Sequence, residues 1–364
     1  MSGFGRFFLP GPTEVRPDVL QAMARPVIGH RGTEMVDLMG RILPRLSTIF
    51  RTRRPVWVST SSATGLMEAA VRNVVRRRVL SLVNGAFSDR FHRIAIACAK
   101  EADRLDVEWG KAHEAESVAR AVKGKGYEAV TVVHSETSTG ALNPIAEIAR
   151  AVRSTSPETM LLVDAVSSLA GAPVETEAWG LDVVLTGAQK ALALPPGLAF
   201  AAASERALAK ASDVPDRGVY FDFLAFEESA AERQTTNTPA VSLLYALDAQ
   251  LERIEREGIE ARWGRHRAMA DRAAEWVAGA ADRIGLDLRI LAPEGRRSPT
   301  VTCIVLPDGL RGTDVNRRMK QRGYTIATGY GKLKETAIRI GHMGDHSLDE
   351  LDALLGVLDE VLSE

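Results

Sequence analysis

Two reactive side chains stand directly after apolar, strand-like runs. Lys190 lies in Leu-Thr-Gly-Ala-Gln-Lys-Ala-Leu-Ala-Leu-Pro-Pro-Gly (185–197), and Asp164 comes directly after Leu161-Leu162-Val163. An amine and a carboxylate, each delivered by the end of a buried strand, are what pyridoxal phosphate chemistry uses. The lysine condenses with the cofactor aldehyde, and the carboxylate keeps the pyridine nitrogen protonated so that the ring withdraws electrons. Each residue alone says little, because a lysine after a strand is usually a solvated loop residue and an aspartate there is often a helix cap.

Such a pair has to be positioned by a sheet. Short apolar runs recur at Val56-Trp57-Val58, Val79-Leu80-Ser81-Leu82-Val83, Ala129-Val130-Thr131-Val132-Val133, Leu161-Leu162-Val163 and Val183-Val184-Leu185, with helix-like stretches between them. This βαβ rhythm and the near-continuous apolarity of the runs predict an α/β fold with a mostly parallel sheet covered by helices on both faces. Ligands of such sheets gather beyond the carboxyl ends of the strands. The residues just past each run are therefore candidates for a site: Ser61-Ser62-Ala63-Thr64, Asn84-Gly85-Ala86-Phe87, His134-Ser135-Glu136-Thr137, Asp164 and Lys190. Loop residues are commonly polar, which accounts for any one of these better than for the set.

Residues 241–279 read as a long helix linking two domains, with Glu252/Arg256 and Arg253/Glu257 spaced to pair across one turn. Beyond it, a strand at 300–305, a helix near 313–322, a strand at 337–340 and an amphipathic helix at 348–362 predict a smaller α+β unit. The expected division is an N-terminal arm over 1–20, a large domain over 21–255 and a small domain over 256–364, in keeping with a 364-residue chain of about two domains.

The formal net charge of -1 gives no global attraction to nucleic acid or anionic membrane. The basic clusters Arg51-Thr52-Arg53-Arg54 and Arg76-Arg77-Arg78 fall at expected helix ends and read as surface. Cys98 and Cys303 lie in apolar settings and read as buried free thiols of a reducing compartment. Pro10 and Pro12 interrupt the N-terminal stretch before it could serve as a secretory signal. No uncharged run approaches the roughly 20 residues of a membrane helix. A soluble, cytoplasmic protein is expected.

Taken together, Leu9-Pro10-Gly11-Pro12-Thr13, Ile28-Gly29-His30-Arg31, Ser61-Ser62-Ala63-Thr64-Gly65, Asn84-Gly85-Ala86-Phe87, His134 to Gly140, Val163 to Ser168, Gln189-Lys190 and Arg339-Ile340-Gly341-His342-Met343-Gly344 resemble the class V aminotransferases of fold type I, in particular the alanine–glyoxylate and serine–glyoxylate/pyruvate branch. The resemblance spans nearly the whole chain. It implies the fold type I architecture, with a seven-stranded type of large-domain sheet, and a homodimer with shared active sites.

It also implies roles. Ser62, Ala63 and Thr64 would hold the cofactor phosphate at a helix start, where unpaired N–H groups and the dipole favour a dianion. Phe87 matches the ring that stacks on the pyridine, a position often occupied by Trp. Thr137 matches a hydroxyl near the cofactor, and Val166 packs on the ring beside Asp164. Gln189 would point at the phosphate, although Ala188 replaces the Ser commonly found before it. Asn237 and Thr238 match a segment that reaches a neighbouring subunit's cofactor, or else form an ordinary helix cap. Arg339 matches the arginine that grips the substrate carboxylate with its two-pronged guanidinium, and Gly11 belongs to a substrate-side motif. His30, His134 and His342 lack metal-ligand spacing, so no metal is expected.

The implied reaction is transfer of an amino group from a small amino acid (alanine, serine or similar) to glyoxylate or pyruvate, in two half-reactions through Lys190. One rival is a cysteine desulfurase or other class V lyase, which needs a thiolate on a mobile loop; Cys303 in a strand-like run is badly placed for that. A rival of another class is a non-enzymatic hydrogenase-associated subunit, against which Lys190, Asp164 and Arg339 together argue.

Overall fold

The computed structural model describes residues 4–364, so the first three residues of the expected arm lie outside the described residues. The strands, in chain order, are β1 (Trp57–Ser59), β2 (Arg78–Val83), β3 (Glu101–Asp106), β4 (Ala129–Val133), β5 (Ser135–Glu136), β6 (Ala141–Leu142), β7 (Met160–Asp164), β8 (Val183–Gly187), β9 (Ala199–Ala203), β10 (Arg289–Ile290), β11 (Thr302–Val305), β12 (Ala327–Thr328) and β13 (Ala337–Ile340). Seven of them form one sheet in the order β1-β9-β8-β7-β4-β2-β3. All its pairings are parallel except those of β9, which runs against both β1 and β8. This is the expected α/β architecture with a mostly parallel sheet.

The apolar runs become strands because both faces are covered. Along β8, Val184 enters one core cluster while Val183 and Leu185 enter the other, and β4, β7, β8 and β9 are buried along their whole length. Two strands escape the sequence pattern. β3, of sequence Glu-Ala-Asp-Arg-Leu-Asp, is the sheet's edge and is mostly half-buried or exposed. β9, Ala-Phe-Ala-Ala-Ala, has weak strand propensity. Its alternate residues Ala199, Ala201 and Ala203 pack with helix Ala63–Val74, while Phe200 and Ala202 face the opposite core.

The second sheet, β10-β11-β13-β12, is antiparallel throughout. Its core joins Ile304, Ile338 and Ile340 to Leu351, Leu354 and Leu358 of helix Leu348–Leu362, and takes in Phe8 from the N-terminal segment. That last helix starts at the expected residue because Ser347 and Glu350 form a reciprocal capping box, with bonds of 3.2 and 2.9 Å.

The long helix expected over 241–279 is two helices, Val241–Glu257 and Ile259–Ala278, broken at Gly258. Gly258 adopts φ +80°, a conformation in which a side chain is strained. The break redirects the expected ion pairs. Glu252 and Arg256 do approach, at 3.8 Å, but Glu257 turns to Arg262 and Arg265 at 2.7 Å each, and Arg253 goes to Asp18 at 3.0 Å. Cys303 is buried as expected. Cys98 is only half-buried, because it caps the end of helix Ala86–Ala97 at the surface. No described helix is long and apolar enough to cross a membrane.

Candidate active site

Strands β7 and β8 lie side by side and parallel, with Asp164 opposite Leu185. Asp164 therefore ends β7 at the edge where the chain leaves β8, and Lys190 comes three residues beyond Gly187. Between them opens a cavity of about 290 Å³ whose walls include Gly11, Ser62, Ala63, Thr64, Phe87, Thr137, Asp164, Val166, Gln189 and Lys190. Ten residues chosen from sequence, drawn from stretches between residues 11 and 190, thus meet on one sheet edge.

The N-terminal segment fastens the lysine. The backbone N–H of Thr13 donates to the Gln189 carbonyl at 3.0 Å, the Thr13 hydroxyl donates to the Lys190 carbonyl at 3.1 Å, and the Lys190 ammonium donates to the Pro10 carbonyl. Gly11 has φ +102°, and a Cβ there would lie 2.5 Å from both Cδ and Cε of Lys190. Glycine is required at this position by backbone conformation and by the lysine itself.

Burial sets the ionisation of the pair. It pulls the Lys190 amine down to about 8, aided by the nearby Arg339 guanidinium and opposed by Asp164. Burial pushes the Asp164 carboxyl up to about 7, opposed by a 2.7 Å hydrogen bond from the Val166 N–H. Both groups thus titrate close to neutrality, a setting suited to acid–base work.

Opposite the pair, helix Ala63–Val74 begins at Ser62, whose side chain makes no capping bond. The helix start therefore presents free donors and a favourable dipole to the cavity. Thr137 and Ser167 share a hydroxyl contact of 2.5 Å. Phe87 sits at the start of helix Ala86–Ala97 and is fixed by Glu136. That buried carboxylate accepts from the N–H groups of Phe87 and Ser88 at 3.2 and 2.9 Å and from the hydroxyls of Ser88 and Ser138 at 2.9 and 2.6 Å. Ala188 belongs to the core beneath, not to the wall.

Arg339, on β13, stands behind the wall. It donates from Nε to the Thr328 carbonyl and from Nη1 to the Thr137 carbonyl, both at 3.0 Å. Asn237 and Thr238 are exposed and do not line this chain's cavity. Their loop is held instead by Arg31, which donates to the carbonyls of Thr235 and Thr236 at 2.9 and 3.2 Å. Four residues near the site carry no role in the sequence reading: Glu136, Ser167, Arg90 and Tyr330. The first two lie within motifs already singled out. Arg90 stands three residues after Phe87, the spacing that shares a helix face, and so was open to detection. Tyr330, in an irregular loop, carries no such signal.

A family model described as aminotransferase class-V matches residues 92–339. The chain is 39% identical to an uncharacterized aminotransferase of Methanocaldococcus jannaschii, over 98% of this chain and 92% of that protein. It is 33% identical to a protein of a Synechococcus strain named soluble hydrogenase, small subunit, over 98% of this chain and 92% of that protein. Among solved structures, an aspartate aminotransferase of subgroup IV from Thermus thermophilus superposes with a TM-score of 0.88 at 35% identity, over 98% of this chain and 99% of that one. The chain belongs to the class V aminotransferases, pyridoxal-phosphate-dependent transaminases of fold type I. Serine–glyoxylate and alanine–glyoxylate aminotransferases also match over most of the chain, at 31% and 30% identity.

Proposed function

We propose that this chain transfers the amino group of a small amino acid, such as alanine or serine, to a small oxo acid, glyoxylate or pyruvate, at one site used twice. The observation that carries the reading is the buried Lys190 amine, drawn toward neutrality, on the same cavity as Asp164 and an uncapped helix start. The cavity suits pyridoxal 5'-phosphate: donors without partners at Ser62, Ala63 and Thr64, with Gln189 beside them, match a phosphate. Phe87 and Val166 offer the faces for a ring, Thr137 a hydroxyl, and Asp164 a carboxyl for a ring nitrogen. When bound, that group supplies the electron sink for negative charge at the substrate Cα.

In the proposed cycle Lys190 would move the proton from the donor Cα to the cofactor's former aldehyde carbon, acting first as base and then as acid, and would run the same transfer in reverse when the oxo acid is aminated. Arg339, which no carboxylate of the described residues neutralises, holds the α-carboxylate of donor and acceptor in turn, with Gly11 leaving room beside it. Asn237 and Thr238 reach the cavity of a second copy, so the working unit is a homodimer, placed in the cytoplasm. The chain divides into an N-terminal arm over 1–20, a large cofactor-bearing domain over 21–255 and a small C-terminal domain over 256–364.

A desulfurase reading is disfavoured because Cys303 is buried in β11, where burial pushes its thiol up to about 12. A non-enzymatic hydrogenase-associated subunit has no use for a buried lysine of this kind. Lys190→Ala should lower transamination by roughly 10⁴-fold or more. Borohydride reduction and subsequent peptide mapping should find the cofactor adduct on Lys190, and an adduct on another lysine would sink the assignment.

A further inference from the structure

We infer that Arg90 is the receptor for a second carboxylate, so that the preferred amino donor is a dicarboxylic amino acid; this rests on the aminotransferase reading above and replaces the alanine-type donor named there. Arg90 lines the same cavity as Lys190. Its guanidinium carbon lies 4.9 Å from the centre of the Phe87 ring, and the Lys190 ammonium lies 5.7 Å from that same centre. Both cations therefore flank one aromatic side chain of the site.

The neighbouring carboxylates are committed elsewhere. Asp89, adjacent in sequence, is taken by Arg93 at 2.9 Å and Arg104 at 2.8 Å. Glu136 is occupied by the N–H groups and hydroxyls at the start of helix Ala86–Ala97. Asp164 accepts from Val166 at the cavity floor. Among the described residues, what remains to Arg90 is the Tyr330 hydroxyl at 3.5 Å, a weak contact for a guanidinium fork built to donate two parallel bonds. No ion pair of Arg90 or Arg339 exists among the described residues.

An α-carboxylate needs only one of these two cations. With Arg339 engaged on it, a monocarboxylic substrate would leave Arg90 facing the cavity without a counter-charge, and a second carboxylate would supply one. Both arginines contact Tyr330. The Arg339 guanidinium lies 5.4 Å from its ring centre, and Arg90 touches its hydroxyl at the far end of the ring. Two guanidinium groups held by one tyrosine, beside one cavity, suit a substrate that carries two carboxylates. The class of donor that fits is an α-amino acid with a second carboxylate in its side chain, such as aspartate.

The test uses the cofactor-loaded protein. The kcat/KM of aspartate divided by that of alanine should exceed one in the wild type and fall by about tenfold or more in Arg90→Gln, the modest figure reflecting a half-exposed cation. Arg90→Lys should recover part of the ratio, since it keeps the charge and loses the fork. The ratio does not depend on the fraction of folded enzyme, so partial misfolding leaves it readable. If no folded Arg90→Gln is obtained, the wild type decides by calorimetry. Succinate should then bind about tenfold or more tightly than butyrate, which has a methyl where succinate has its second carboxylate. A smaller fall in the ratio, or succinate and butyrate of equal affinity, overturns the inference. A wild type that transaminates alanine but ignores aspartate overturns it while leaving the aminotransferase reading intact. A protein inactive on every amino acid, with no adduct on Lys190, overturns both.

Discussion

Beside the helix break at Gly258, a cleft of about 310 Å³ is lined by Arg16, Arg253, Arg256, Arg262 and Arg265 together with Glu257 and Asp345. The cavity beside Lys190 is of similar size, with Arg90 on its wall and Arg339 behind it. In the first, the protein answers its own charge. Arg262 meets Glu257 at 2.7 Å and Asp345 at 2.9 Å, Arg265 meets Glu257, Arg253 meets Asp18, and Arg16 donates to the Asp345 carbonyl at 3.0 Å. In the second, two guanidinium groups and an amine meet no carboxylate in an ion pair among the described residues. An arginine cluster thus reads as structural or functional according to where its counter-charge comes from. The paired cleft joins helices on either side of Gly258 to the loop after β13. It also touches the site, since Arg262 donates to the Ala191 carbonyl, next to Lys190, at 2.7 Å.

If the paired cleft is structural, removing its central acid should cost stability without changing donor preference. Asp345 is almost wholly buried and accepts from Gln250 at 3.1 Å as well as from Arg262. Although burial opposes it, Arg262 holds this carboxyl below the usual range. Asp345→Ala takes from a nearly inaccessible Arg262 one of its two acids, leaving Glu257, and should lower the unfolding free energy by about 3 kcal/mol in urea titration. The aspartate-to-alanine ratio should stay as in the parent. A loss under about 1 kcal/mol, or a shifted ratio, would erase the contrast between the two clefts.

The unpaired cavity should show the opposite sign of electrostatic strain. Asp164 has its carboxyl near 7 in the fold and near 3.8 in the unfolded chain, so the native state holds the extra proton between those values. Stability of the cofactor-free protein should therefore fall as pH rises from about 4 to 7, by up to about 4 kcal/mol from this group. Lys190, near 8 folded against 10.5 unfolded, costs stability below 8, and that cost is relieved as pH rises from 8 toward 10.5. Together the two groups place their largest penalty between pH 7 and 8. Asp164→Asn should gain on the wild type in urea as pH is raised from 5 to 7. A constant difference across that range would mean that the carboxyl is already ionised at pH 5.

Arg339 sharpens the comparison at the substrate. Arg339→Lys preserves the charge and removes the two-pronged geometry. Transition-state stabilisation should drop by roughly 2–4 kcal/mol, equally for amino donor and oxo acid, because both occupy the site in turn. If kcat/KM fell for the donor alone, another residue would have to hold the acceptor.

How much of this is legible in sequence depends on whether a residue's job is local. Lys190, Asp164 and the Ser62–Thr64 stretch each stand where an apolar run stops, and a parallel sheet converts that position into proximity. β3 is hidden because an edge strand needs little apolar surface, and β9 because alanines suit close packing under helix Ala63–Val74 more than they announce a strand. Gly258 is visible as a residue, but helical spacing continues on both sides of it, and only the redirected ion pairs of Arg253 and Glu257 show the cost of missing the break. The Arg90–Tyr330–Arg339 grouping joins the first sheet's helix to a loop and strand of the second, a relation that no local pattern encodes.

The smallest effect tests the rim of the paired cleft. Arg256 carries a side chain 68% exposed, and its nearest acid, Glu252, is 57% exposed and 3.8 Å away. Long side chains at that separation in water gain little Coulomb energy and lose rotamer freedom when held, and salt screens what remains. Arg256→Ala should change the unfolding free energy by less than about 0.5 kcal/mol, with the difference vanishing at high salt. Urea titrations at low and high ionic strength would measure it. A loss above about 1 kcal/mol that persisted in salt would show that Arg256 holds the cleft through packing. Pairing would then no longer separate the structural arginines from the ones that face Lys190.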